Sequence, residues 1–267
     1  PRITKTADVV IVGAGGAGIA AAMSAVENGA SVIVIEKNAS IGGNTLISGC
    51  AWNAANPALS SQTPAAAGLN QKLQSFLEME ETELPPEFRP TLRILKEQIE
   101  TYLAGDTSMM FDSVELHMIQ TYLAGKRQGL DGTTIEGSFD FIEILCRKSL
   151  ETQEWLKKTA GTVFRDRLGE PIGSLWKRSN GPVNKWEDFF VKPAKYITDN
   201  GGEILCEVTG KELIVEDGRV VGVEAVMADG TPMELFGTKG VVLATGGFGG
   251  NTAMVLEYNN YWSDLDP

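Results

Sequence analysis

Apolar runs too short for helices alternate with stretches of helical periodicity along this chain. Ala7-Asp8-Val9-Val10-Ile11-Val12 is a continuous, β-branched run of the kind a buried parallel strand shows. Ile19 to Glu27 reads as a helix of small and apolar residues, stopped by Asn28-Gly29. Ser31-Val32-Ile33-Val34-Ile35 is a second buried strand, ending in Glu36. A glycine-punctuated loop follows over 37–54, then a Ser/Pro/Ala-rich loop over 60–68 and an acidic, Pro-interrupted linker over 78–90. Thr91 to Leu103 has an amphipathic helical pattern through Leu92, Ile94, Leu95, Ile99 and Leu103. Phe139 to Ala160 is another helix, with Phe139, Ile142, Leu145, Cys146, Leu150 and Trp155 as candidate core positions. Thr-Tyr-Leu-Ala-Gly occurs at 101–105 and again at 121–125; nothing around it repeats, so it marks two helix ends and no solenoid. Strand patterns return at Ile204 to Thr209, at Val220 to Phe236 after an Asp217-Gly218 hairpin turn, and at Gly240 to Leu243, read as buried.

The first strand runs directly into Gly13-Ala14-Gly15-Gly16-Ala17-Gly18, which matches G-x-G-x-x-G at 13, 15 and 18. Gly13 permits the strand-to-helix turn, Gly15 lets a pyrophosphate approach the backbone, and Gly18 lets the helix pack on the sheet. The helix N-terminus offers unpaired N–H groups and a positive dipole end to phosphates. Glu36, 18 positions past Gly18, is placed to accept hydrogen bonds from a ribose diol. Strand, turn, helix, strand and terminal acid in register predict a dinucleotide site. The residues of the 37–54 loop leave open whether it passes beneath a flat cofactor or is an ordinary surface loop.

Composition narrows the remaining chemistry. The 267 residues carry a formal charge of −12 with no basic block, which argues against nucleic acid and anionic membrane surfaces as partners. No apolar run reaches the ~18 residues of a membrane span. Cys50, Cys146 and Cys206 are too dispersed for a metal cluster or disulfide framework, and His117 is the only histidine. No metal site is expected; His117 is read as structural and Cys50 as a small buried hydrophobe. Pro1 to Thr6 has neither an initiator Met nor a signal-peptide pattern, so the chain reads as excised from something larger, with simple removal of an initiator Met as the alternative. The expected protein is soluble, and the cysteine count permits cytoplasm or periplasm, the cytoplasm being the expectation.

Two motifs bracket nearly the whole chain. One is Glu36-Lys37 followed by Gly42-Gly43-Asn44-Thr45 and by Ser48-Gly49 with Asn53-Ala54; the other is Ala244-Thr245-Gly246-Gly247-Phe248 with Asn251. Together they resemble the flavoprotein subunits of the fumarate reductase/succinate dehydrogenase family, in its soluble fumarate and urocanate (enoate) reductase branch. The resemblance implies an α/β fold: a Rossmann-like FAD-binding domain over 1–267 with a parallel central sheet, a helical insertion over about 65–200 and a small antiparallel β appendage over about 203–238. It implies FAD as cofactor, with phosphate contacts at Gly13, Gly15, Gly16, Ala17 and Gly18, and ribose contact at Glu36 beside Lys37. Asn44, Thr45, Gly49, Cys50 and Ala51 would line the pyrophosphate and isoalloxazine, Val208 would meet the adenine, and Ala244, Thr245 and Gly246 would close over the dinucleotide.

Departures from the family pattern are informative. Asn44 stands where membrane-bound relatives carry the histidine that bonds FAD covalently, so the flavin is expected to be non-covalent. Cys50 and Ala51 replace two glycines. In Trp176-Lys177-Arg178-Ser179-Asn180-Gly181-Pro182 the family's R-x-H-R-P keeps only Arg178 and Pro182. Arg178 is therefore a candidate substrate contact, with a solvated turn as the alternative, and fewer cations here disfavour fumarate. The capping domain and second FAD half, which carry the family's proton-donating arginine and carboxylate clamp, would follow Trp262–Pro267. No catalytic residue is thus expected within the chain, and this fragment alone is expected to be inactive. The implied reaction is hydride transfer from flavin N5 to an α,β-unsaturated carboxylate, with electrons from an FMN, haem or reduced-flavin partner. Alternatives are a dehydrogenase or oxidase of the same fold (ketosteroid dehydrogenase or aspartate oxidase type) and a non-catalytic flavin-binding fragment.

Overall fold

The computed structural model describes residues 2–259. Pro1 and Trp262–Pro267, read above for how the chain starts and stops, lie outside the described residues. The chain divides into two compact units, one of residues up to Gly49 together with those from Lys185 on, the other Cys50–Asn184.

The first unit opens with β1 (Ile3–Val12), which starts four residues before the apolar run because Ile3 to Thr6 pair in parallel with Met233 to Phe236. α1 (Gly16–Glu27) follows and ends at Asn28, with Gly29 at φ +77. β2 (Val32–Ile35) is buried at all four positions. Within the segment read as a loop lies a short helix, α2 (Gly43–Ile47), entered through Gly42 at φ +117.

The second unit is helical: α3 (Pro57–Ser60), α4 (Leu69–Glu78), α5 (Arg89–Leu103), α6 (Val114–Gly125) and α7 (Phe139–Ala160). A two-residue hairpin, β3 (Arg127–Gln128) with β4 (Thr134–Ile135), joins α6 to α7 and carries no strand signal in the sequence. Leu92, Leu95 and Ile99 form the buried face of α5, while Ile94 turns outward. Phe88 packs on Tyr122 at 4.5 Å and edge-on to Phe139 at 4.9 Å, between ring centroids. On α7 the buried residues are Ile142, Cys146, Ser149, Gln153 and Leu156, spaced alternately four and three apart. That spacing puts Leu145 about 100° round the helix, where it is 56% exposed, contrary to the core position expected for it. The two Thr-Tyr-Leu-Ala-Gly copies do close helices, α5 and α6.

Back in the first unit, a π-helical turn (Glu187–Val191) runs into α8 (Lys192–Asp199). Then come β5 (Gly202–Leu205), β6 (Val208–Glu216), β7 (Arg219–Met227), β8 (Pro232–Leu243) and α9 (Thr252–Tyr258). Ile204 to Thr209 is therefore not one strand. Glu207, at φ +59, breaks it, so that β5 pairs with β2 and β6 turns away to pair with β7. Asp217 and Gly218, both at positive φ, make the predicted hairpin turn.

One six-stranded sheet, in the order β5-β2-β1-β8-β7-β6, holds all of these strands. The β5/β2, β2/β1 and β1/β8 pairs are parallel; β8/β7 and β7/β6 are antiparallel. β8 belongs to both parts, because Met233 to Phe236 pair with β1 on one side and β7 on the other. Val10, Ile33, Ile35, Val208, Val223 and Leu235 form the core on this sheet. Val12 is in register with both Ile35 and Leu243, so the carboxyl ends of β1, β2 and β8 align. At that edge Gly240 to Leu243 is not buried as expected: Val242 and Leu243 are 37% and 59% exposed. The carboxyl edge of an open α/β sheet is where ligands bind.

Candidate dinucleotide site

The turn between β1 and α1 is built from backbone contacts that exclude side chains. Gly13 donates its N–H to Ile35 O at 2.8 Å and sits at φ +102; a Cβ there would lie 2.5 Å from Ala244 O. A Cβ on Gly18 would lie 1.8 Å from Gly13 O. These two glycines are required by the protein's own packing. Gly15 is different. Its backbone is extended (φ −75°), and a Cβ would meet nothing nearer than Gly42 O at 4.0 Å. The protein leaves open the space in front of Gly15, at the head of α1. Gly15 offers no capping side chain, Thr45 Oγ1 takes the Gly16 amide, and the first turn of the helix holds no acid to offset its dipole end. A cradle that a Cβ would fill, over amides facing outward, fits a pyrophosphate.

Glu36 is buried at the end of β2, and its two oxygens accept from Ala14 N and Asn38 N, both at 2.9 Å. Each oxygen keeps lone-pair capacity for a ribose hydroxyl. Glu36 O accepts from Val208 N at 2.9 Å, which brings the residue assigned to the adenine beside the one assigned to the ribose. Gly42 N donates to Ala14 O at 2.9 Å and Gly16 N to Thr45 Oγ1 at 3.2 Å, so α2 is tied across the turn. Ala244 N donates to Val12 O at 2.8 Å, and Ala244 and Thr245 lie against Gly13.

The structure thus gathers Gly13, Gly15, Gly16, Gly18, Glu36, Thr45, Val208, Ala244 and Thr245 around one turn. Ala17, Lys37, Asn44, Gly49 and Gly246 belong to the same unit and stand exposed. Sequence reasoning passed over Ala14, whose amide fixes Glu36, and Gly42, whose pairing with Gly15 was signalled only by its place in the Gly42-Gly43 pair.

Cys50, Ala51 and Arg178 fall in the helical unit. Cys50 is buried at φ +52, a conformation that explains a glycine preference at this position. Arg178 is no solvated turn. It is 4% exposed; its Nη2 donates to Asp112 Oδ1 at 2.7 Å and to Gln120 Oε1 at 2.8 Å, and its Nε to Asp112 Oδ2 at 3.3 Å. Burial pushes the Asp112 carboxyl up to about 6, against the pull of Arg178, and lowers the Arg178 pKa against the pull of Asp112. Asn180 is buried, its Nδ2 bonded to Arg165 O and Arg167 O.

His117 is buried on α6, and its Nδ1 has no hydrogen-bond partner among the described residues. Burial, reinforced by Arg178, pushes its pKa down to about 3. An unfolded histidine takes a proton near 6.5, so between pH 6.5 and about 3 the unfolded chain binds a proton that the folded chain refuses. Stability from this group is complete above pH 6.5 and falls as pH drops. His117→Leu should remove a loss of about 2 kcal/mol between pH 7 and 5, read from urea midpoints at the two pH values. Equal pH slopes in the two proteins would show that His117 is solvated.

Residues 107–262 match the family described as FAD binding domain, and residues 8–123 that described as FAD dependent oxidoreductase. The chain belongs to the FAD-binding-domain family. Among its relatives, the NADH:acrylate oxidoreductase of Vibrio harveyi is 40% identical over 98% of this chain. The NADH:fumarate oxidoreductase of Klebsiella pneumoniae is 28% identical, also over 98%. The chain spans 27% and 22% of those two proteins. In fold it is similar to the open conformation of a flavocytochrome c3 fumarate reductase (TM-score 0.64, 23% identity, 96% of this chain and 36% of that one). It is similar also to the 3-ketosteroid-Δ4-(5α)-dehydrogenase of Rhodococcus jostii (TM-score 0.59, 21% identity, 94% and 48%). In sequence and in fold it is thus similar to the FAD-binding part of fumarate-reductase-type flavoproteins. No described helix is long and apolar enough to cross a membrane.

Proposed function

We propose that this chain supplies the FAD site of an enzyme that reduces the C=C bond of a small α,β-unsaturated carboxylate. The observation that carries the reading is the open cradle at Gly15, in a chain 40% identical over nearly its whole length to an NADH:acrylate oxidoreductase. The amides at the head of α1 would hold the pyrophosphate, Glu36 the ribose and the Val208 backbone the adenine. Asn44 has no nucleophile to bond the flavin, so FAD would be held non-covalently, by the fold alone. When bound, FAD supplies hydride transfer; the protein supplies position, and catalytic residues would come from outside this chain. Electrons would reach it from a donor domain or protein carrying FMN, haem or reduced flavin.

The 176–182 segment favours a substrate with one carboxylate over a dicarboxylate. Asn180 and Gly181 carry no charge, and Arg178 is neutralised by Asp112, which leaves Lys177. In the native protein that carries this chain, reduced viologen should be oxidised by acrylate and by urocanate, each with one carboxylate, faster than by fumarate. Acid precipitation should release the FAD into the supernatant. Flavin left in the pellet would overturn the non-covalent reading. An FAD-loaded protein inert to all three acids would overturn the reductase reading.

A further inference from the structure

The helical unit holds an open cleft of about 530 Å³ between α4, α6 and the segment 174–176. Its volume lies within the range of small-molecule pockets. Phe76, Leu123, Leu175 and Trp176 supply apolar wall, and the Trp176 ring is fixed by its Nε1 donating to Phe111 O at 2.9 Å. In a chain with 35 acidic residues, no described Asp or Glu lines this cleft. Among the described residues its one charged group is Lys72, exposed and in no ion pair.

A second polar group is oriented by chemistry. Gln120 is 7% exposed, and its Oε1 accepts from Arg178 Nη2. A guanidinium can only donate, so the carboxamide oxygen must face Arg178 and the amide N–H₂ must face the other way. That N–H₂ is not among the buried polar atoms lacking a partner, and Gln120 lines the cleft. The buried Asp112–Arg178 pair therefore sets a neutral two-proton donor into a largely apolar cleft that also holds one exposed ammonium.

We propose that this cleft binds a small amphipathic monocarboxylate, one oxygen taken by Lys72, the other by Gln120 Nε2, its apolar body lying on Phe76, Leu175 and Trp176. One cation matches one negative charge, and two separated donors match the two oxygens of a carboxylate. None of these residues belongs to the dinucleotide site, so the inference does not depend on the proposed reaction.

The test is calorimetric titration of the chain, with its FAD, by 3-phenylpropionate, which has no C=C bond to reduce. Binding should be 1:1. Lys72→Glu should weaken it about tenfold or more, as should Gln120→Glu, which keeps an acceptor for Arg178 and replaces the donor with a repelling oxygen. 3-Phenylpropylamine, of the same shape and opposite charge, should not bind. Absence of saturable heat would overturn the proposal, as would equal binding of the amine or affinity unchanged in both variants. Should Gln120→Glu fail to fold, Lys72→Glu, at an exposed position on α4, decides alone.

Discussion

Gly18→Ala should cost the protein both its FAD and part of its fold, whereas Gly15→Ala should cost only the FAD. The Cβ introduced at Gly18 would fall 1.8 Å from Gly13 O, a backbone atom held by the Gly13 N–H bond to Ile35 O. No side-chain rotation relieves that contact, so α1 must move off the sheet, at about 1–3 kcal/mol for overpacking. Moving α1 also turns its N-terminal amides away from the phosphate position. A Cβ introduced at Gly15 meets only Gly42 O at 4.0 Å, in a backbone conformation any residue adopts, so the effect on stability should stay within about 0.5 kcal/mol. The added methyl group would nonetheless stand where the pyrophosphate must approach, weakening FAD by about tenfold or more. Thermal melts without flavin, with flavin fluorescence titrations on both variants, separate the two losses. If the Gly15→Ala variant retained FAD as well as the parent, the cradle at the head of α1 would not be the phosphate site.

The same contrast shows what was legible in the sequence. Gly13 and Gly18 announce a dinucleotide turn because local chain geometry demands them, Gly15 because a bound pyrophosphate would, and Glu36 follows from the spacing of one strand–helix–strand unit. α7 could be read to its ends because 22 residues of periodicity leave little freedom, yet Leu145 was misplaced: a run of apolar residues does not say which stripe faces inward. The break at Glu207 escaped because β-branched and apolar residues continue through it, and only a positive φ separates the strands. The exposure of Val242 and Leu243 escaped for a like reason, since composition marks a strand and not what lies over its end. The partners of Arg178 were beyond reach. Asp112 and Gln120 lie 66 and 58 residues away, and no local pattern couples them.

That pair should dominate the stability of the helical unit. The side chains of Asp112 and Arg178 are 1% and 5% exposed, and Asp112 Oδ1 also accepts from Ser113 N at 3.0 Å. Each charge depends on the other, because neither reaches water. Removing one partner leaves a buried charge, at about 3–5 kcal/mol. Asp112→Asn and Arg178→Met should both lose that much at pH 7, but they should diverge on acidification. Burial alone already raises the Asp112 pKa, and without Arg178 the opposing pull is gone. In Arg178→Met the folded chain therefore takes a proton at Asp112 that the unfolded chain refuses until about 3.8. Stability is regained as pH falls towards that value. In Asp112→Asn the stranded guanidinium has no such escape, so nothing is regained. His117 acts in the opposite sense and its own shift is reinforced by Arg178, so urea midpoints at pH 7 and pH 5 are compared with both variants in the His117→Leu background, which isolates Asp112. Were Arg178 instead a solvent-facing substrate contact, both variants would stay within about 0.5 kcal/mol of the parent. Arg178 would then return to the substrate role that its place in the sequence first gave it.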